Sequence, residues 1–172
     1  GGAPKRKTGD LGLVVKESAT FALSGSSITC EFEIAEDLWV ADFDKGQIEQ
    51  VIDNLIINAQ QAMPAGGRIT IKGRNYIVRD GENPLLKPGR YIRLSVADTG
   101  IGMPASLLKR IFDPFFTTKQ KGNGLGLTTC YAIIQKHAGM IDVESVIGEG
   151  STFHVFMPAS SNVPETKDNS VS

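Results

Sequence analysis

Apolar residues recur along this chain with two periods, and the switches between them mark out its elements. From Asp10 to Leu23, the positions Leu11, Val14, Val15, Ser18 and Ala22 follow helical spacing. Ser27 to Ile34 alternates instead, which puts Ile28, Cys30, Phe32 and Ile34 on one face of a strand. Trp39 to Ala41 is expected as its short partner. The clearest helix runs from Asp44 to Met63, where Ile48, Val51, Ile52, Leu55, Ile56, Ala59, Ala62 and Met63 form one stripe. Asp44 with Gln47 three residues on resembles a capping box, and Pro64 with Gly66-Gly67 ends the helix.

Further along, Arg68 to Tyr76 reads as a strand and the polar stretch Arg79 to Gly89 as a loop. Arg90 to Ala97 is a strand with Ile92, Leu94 and Val96 on one face. Pro104 to Phe112 predicts a short helix opened by its proline, and Gly124 to His137 a longer one. Met140 to Val146 and Ser151 to Met157 are two strands joined at Gly148-Glu149-Gly150. Residues 1–9 show no apolar pattern and are expected to be a linker or cut end. Residues 159–172 have no large apolar residues except Val163 and Val171 and are expected to be a disordered tail. One domain therefore spans 10–158. Its mixed elements and closing antiparallel pair predict an α/β fold, a two-layer α/β sandwich with a mixed sheet of about five strands on three helices.

Composition narrows the partners. Eighteen basic residues against nineteen acidic ones leave no basic excess, so nucleic acid is not expected as a partner. No apolar run approaches the ~18 residues of a membrane helix, so no direct membrane contact is expected. Cys30 and Cys130 form no CxxC pair or zinc spacing and read as reduced thiols in a cytoplasmic setting. Glycine is the unusual component. Of 19 glycines, Gly100, Gly102, Gly122, Gly124 and Gly126 crowd into one stretch, as in a backbone shaped around a ligand.

Three groups of residues carry candidate chemistry. Gln47, Gln50, Asn54, Asn58 and Gln61 make an amide stripe beside the apolar stripe of the Asp44–Met63 helix. Asn is a poor helix former, and two Asn one turn apart project over one site. Their neutral oxygens suit Mg²⁺, a hard ion shared with phosphates; the ordinary alternative is a solvated polar face. Asp98 has the parity of Ile92, Leu94 and Val96, so it extends the buried face just before Gly100 and Gly102. A carboxylate there is costly unless bonded. It could accept from an exocyclic amine, or it could simply brace a turn. The third group is Phe112 to Lys119 followed by Gly122-Asn123-Gly124-Leu125-Gly126-Leu127, where glycines open onto a helix start suited to phosphate. Lys119 could add a point charge or remain a solvated loop lysine. The run Gly100 to Ala105 also fits a relaxed dinucleotide pattern. It lacks the long helix and the later acidic strand end that this pattern needs. His137, at a helix end where a partial positive charge suits the dipole, and His154, in a strand, are expected to be structural.

Taken in order, these groups resemble the ATP-binding catalytic domain of sensor histidine kinases, within the gyrase, Hsp90, histidine kinase and MutL superfamily. The asparagine box resembles Gln50 to Ala59, the first glycine box Asp98 to Gly102, and the phenylalanine box Phe112 to Lys119. The second glycine box resembles Gly122 to Leu127, and the closing hairpin Met140 to Pro158. The short lid with Phe115-Phe116-Thr117-Thr118-Lys119 looks most like that of the nitrogen-regulation kinases. The resemblance implies a Bergerat-type sandwich with ATP and Mg²⁺ as ligands. It assigns Asn58 to the metal with Asn54 beside it, Asp98 to the adenine amine, and Gly100 and Gly102 to the adenine pocket. Lys119, Gly122, Gly124, Gly126 and the Leu127 amide would meet phosphate under a mobile lid, and Thr152 would join the ATP site. It also implies transfer of the γ-phosphoryl group to a histidine on a separate helical dimerisation domain, and through it to a response regulator.

Two departures stand out. The family often has two glycines after the histidine ending the last helix, whereas this chain reads His137-Ala138-Gly139. Neither histidine is followed by an acidic residue, so the acceptor is expected to lie elsewhere in a longer protein and no catalytic residue is assigned here. Rival readings are an ATP-hydrolysing clamp or a domain that only docks partners. The clamps place a Glu where Asn54 stands, and an amide cannot act as a general base.

Overall fold

The computed structural model describes residues 2–113 and 124–162. Five strands form a mixed sheet: β2 (Thr29–Ile34), β4 (Arg68–Val78), β5 (Gly89–Asp98), β7 (Gly150–Pro158) and β6 (Met140–Val146), in that spatial order. β2 runs parallel to β4, and the remaining pairs are antiparallel. Three helices cover one face: α1 (Leu11–Ala22), α2 (Lys45–Ala62) and α4 (Gly124–Lys136). This is the expected two-layer sandwich. The core lies between the layers, where Ile48, Ile52, Leu55 and Ile56 of α2 meet Ile69, Ile71, Ile92 and Phe153 of the sheet. Each such side chain contributes roughly 1.5–3 kcal/mol when fully buried. On the other face a smaller cluster, including Leu86, Tyr91 and Phe156, sits beside the 79–88 loop. Next to it His154 links β7 to β5 and β6, with Ser95 Oγ 2.8 Å from Nδ1 and Glu144 Oε1 2.6 Å from Nε2.

Several expectations need correction. Residues 1–9 are not merely a linker, since Lys7–Gly9 forms β1, antiparallel to β3 (Ala41–Phe43). That pairing also shifts the expected Trp39–Ala41 strand and changes its partner from β2 to β1. At the other end, Ala159 bridges Ala41 and the Ser160 N–H donates to Val40 O, so the domain runs past 158. The rest of the expected tail, 163–172, lies outside the described residues. The Pro104–Phe112 helix shrinks to α3 (Ala105–Leu108). The residues after it make i→i+3 turns, with Arg110 N–H on Leu107 O and Asp113 N–H on Arg110 O.

The start of α2 shows how His137 works. Asp44 is the cap, with Oδ1 accepting from the Gln47 N–H at 3.1 Å. Gln47 does not complete a capping box: its Nε2 donates to Gly2 O, and its Oε1 accepts nothing among the described residues. The Asp44 N–H donates instead to His137 Nε2 at 3.1 Å. His137 Nδ1 lies 2.9 Å from Ile133 O. A carbonyl only accepts and an amide N–H only donates, so the ring is neutral with its proton on Nδ1. Burial pushes its pKa below the ordinary value, so the ring brings no full positive charge to the helix dipole.

A pH dependence follows. The unfolded chain takes a proton on His137 near pH ~6.5, whereas the folded chain takes one only at lower pH. Between those values the unfolded state holds more protons, so stability is lost as pH falls through that window. His137→Ala should remove this acid sensitivity and cost roughly 2–4 kcal/mol through the cavity and unpaired groups it leaves. Urea melts of both proteins between pH 5 and 8 measure the difference.

The departure at Ala138 also has a structural consequence. Its φ is +61°, a left-handed conformation, and the next residue closes the helix end with the Gly139 N–H on Ile134 O. Ala138→Gly should therefore stabilise the domain by about 0.5–1 kcal/mol, the side-chain strain outweighing glycine's entropy. A denaturant midpoint that does not rise would rule this out. Gly139 has no such freedom, because a Cβ there would lie 2.1 Å from Phe156 O.

Candidate nucleotide-binding site

The two Asn of α2 face the beginning of α4. Asn54 and Asn58, with Gly126 and Leu127, line a cleft of about 90 Å³. Asn54 Nδ2 donates to Gly126 O at 3.2 Å, fixing the first turn of α4 against α2. Asn58 is half-buried and its amide has no hydrogen-bond partner among the described residues. Gly124 and Gly126 lie in that first turn, where backbone N–H groups have no partner within the helix and favour anions. Beneath Asn54, Cys130 is fully buried, and burial pushes its thiol up to about 12. It is an inert packing residue.

Asp98 ends β5 on the helix-covered face, as its parity predicts, with 7% of its surface exposed. Its Oδ1 accepts two backbone N–H groups, Gly100 at 2.9 Å and Ser151 at 3.2 Å. Among the described residues Oδ2 has no partner. Burial pushes the carboxyl above the ordinary carboxylate value, and the two N–H bonds oppose this only in part. An acceptor held rigid by one oxygen and open at the other suits a single donor group such as an exocyclic amine.

The glycines after Asp98 permit close packing. A Cβ on Gly100 would lie 2.5 Å from Ala62 O, and one on Gly102, at φ +72°, 2.1 Å from Val146 O. The Gly100–Met103 turn is thereby wedged between the end of α2 and the β6–β7 hairpin. The Ile101 N–H donates to Ala62 O, and the Gly148 N–H to Ile101 O. Ala62 follows Asn58 by one helical turn, so α2 brings the amide pair close to the Asp98 end of the site.

One expected site residue is misplaced. Thr152 shares the outer sheet face with His154, because alternate residues Phe153, Val155 and Met157 point into the helix-covered core. Ser151, in phase with those three and 4% exposed, is the residue whose N–H meets Asp98. The same alternation in the sequence could have singled it out. Lys119 and Gly122, with the phenylalanine box beyond Asp113, lie outside the described residues. Phe112, which begins that box, packs edge-on to Phe153 and tilted against Tyr131.

One end of this region thus holds a buried acceptor with one oxygen open among the described residues, and the other holds side-chain amides beside a helix start. That pairing on a two-layer sandwich defines a nucleotide-binding domain. The chain belongs to the histidine kinase-, DNA gyrase B- and HSP90-like ATPase family, whose model matches residues 43–161. It is 44% identical over 141 residues to sensor kinase CckA of Brucella abortus, covering 79% of this chain and 15% of that protein. It is 36% identical over 160 residues to sporulation kinase C of Bacillus subtilis, covering 91% and 35%. The chain therefore spans about a third or less of the length of these relatives. The catalytic domain of histidine kinase ThkA superposes with a TM-score of 0.74 at 29% identity, covering 90% of this chain and 96% of that one. No helix among the described residues is long and apolar enough to cross a membrane.

Proposed function

We propose that this domain binds Mg-ATP and presents the γ-phosphoryl group to a histidine on a separate helical dimerisation domain of a two-component sensor kinase. The observation that carries this reading is the clamp between Asn54 and Gly126, which holds a glycine-bearing helix start beside the amide of Asn58, itself without a hydrogen-bond partner among the described residues. Asp98 Oδ2 accepts from the adenine amine, and the first turn of α4 takes the phosphates. The donor set fits Mg²⁺, a hard cation that accepts a neutral amide oxygen and keeps several waters. Asn58 would hold it, and the ion would neutralise charge on the phosphates. The domain itself contributes positioning, which with charge neutralisation accounts for most phosphoryl-transfer catalysis. Asn54, one turn before Asn58, is an amide and cannot activate water as a general base, which favours transfer over hydrolysis. A response regulator would receive the group afterwards, in the cytoplasm.

The test mixes this chain, radiolabelled ATP and the helical acceptor domain of its full-length kinase as a separate protein. Label should reach the acceptor slowly, because effective concentration is lost when the domains are not tethered. The product should be acid-labile and base-stable. Alone, the chain should neither label itself nor turn over ATP quickly. An acid-stable product, or rapid hydrolysis by the chain alone, would overturn the proposal.

A further inference from the structure

We propose that Ser145 of β6 is a positioning residue for adenine recognition, acting through Asp98; this rests on the nucleotide-binding reading above. The two N–H groups that hold Asp98 Oδ1 belong to different segments. Gly100 lies in the turn after β5, and Ser151 lies at the start of β7. Ser145 ties those segments together. Its Oγ accepts from the Met103 N–H at 2.7 Å, at the far end of the Gly100 turn. It lies 2.8 Å from Ser151 Oγ and donates to Gly150 O at 3.1 Å. A hydroxyl has one proton and two lone pairs. With its proton on Gly150 O, Ser145 accepts from both Met103 N–H and Ser151 O–H, and its bonding capacity is filled.

The result is a closed circuit from Asp98 through Gly100 and its turn to Met103, across Ser145 to Ser151, and back to Asp98. Ser145 itself is two strands away from Asp98 in the sheet order, since β7 lies between β5 and β6. Removing its hydroxyl leaves the Met103 N–H and the Ser151 hydroxyl without this partner. The spacing between the two donors on Asp98 Oδ1 is then no longer fixed from that side. Oδ2 loses its aim as a consequence, while the bond from Asn54 to Gly126 O on the far side of the site is kept.

The experiment compares wild type, Ser145→Ala, Ser145→Thr and Ser145→Cys by calorimetry with Mg-ATP and by transfer kinetics to the acceptor domain. Ser145→Ala should weaken ATP affinity roughly five- to thirtyfold, about the worth of one such bond in a part-buried site. KM for ATP should rise while kcat stays within about twofold, since the phosphate end is untouched. The backbone amide proton resonances of Gly100 and Ser151 should shift. Ser145→Thr, which keeps the hydroxyl, should restore affinity. Ser145→Cys, similar in size but a weak acceptor, should not, and it decides the matter if Ser145→Ala fails to fold. Wild-type affinity in both Ser145→Ala and Ser145→Cys, an equal fall in kcat, or no rescue by Thr would overturn the role of Ser145. If wild type itself binds no ATP, the nucleotide reading fails instead, and the amide resonances still report whether Ser145 sets the Asp98 contacts.

Discussion

Asp98→Asn should weaken ATP binding by roughly ten- to a hundredfold while leaving the domain as stable as wild type or more so. The amide oxygen can take the place of Oδ1 and keep both N–H bonds, from Gly100 and Ser151. The amide nitrogen then stands where Oδ2 stood and points a donor at the donor amine of the base. A mismatched buried pair of this kind costs roughly 1–3 kcal/mol. Stability moves the other way because the carboxyl is buried and its pKa is raised. In the folded state the proton is held to higher pH than in the unfolded chain. Folding stability from this group is therefore greatest at low pH and declines as pH rises through the window from the ordinary to the raised value. The neutral amide lacks that cost. Calorimetry at pH 7.5 and paired denaturant melts at pH 4 and pH 7.5 measure both halves. Unchanged ATP affinity would remove Asp98 from the base-binding site, whatever the melts showed.

The opposite slopes of Asp98 and His137 lie in separate parts of the molecule. His137 favours folding as pH rises, through its neutral ring at the start of α2, and Asp98 disfavours it. The two variants should each remove one slope, and their effects should add, because they share no partner among the described residues.

Where local pattern and tertiary structure agreed, the sequence was enough. α2 was legible down to its cap because Asp44, the apolar stripe and the Gly66-Gly67 stop are all local signals. Asp98 was legible because a strand's parity cannot change without exposing Ile92, Leu94 and Val96. β1 was not legible, since Lys7-Thr8-Gly9 has no apolar alternation and exists through its pairing with Ala41–Phe43. The role of His137 depends on a contact between residues 44 and 137, distant in sequence. Thr152 was a different kind of miss. A hydroxyl beside the glycines was expected in the site, but Thr152 stands one residue out of phase with the face of Asp98. The alternation of Phe153, Val155 and Met157 places Ser151, not Thr152, on the face of Asp98.

The contrast between the two Asn of α2 gives the other large effect. Asn58→Ala should abolish phosphoryl transfer, a loss of at least roughly a hundredfold, because phosphoryl transfer depends on charge neutralisation by the metal. Its fold should be unaffected, since the amide has no hydrogen-bond partner among the described residues to lose. The distinguishing measurement is ATP affinity with Mg²⁺ and with a chelator. Wild type should bind more tightly with the metal, and in Asn58→Ala the two affinities should converge. Asn54→Ala should behave differently. It removes the bond to Gly126 O that seats the start of α4, so it should weaken ATP with and without the metal and lower the melting temperature. A variant of Asn58 that keeps its metal dependence, or one of Asn54 that loses only that dependence, would exchange the two assignments.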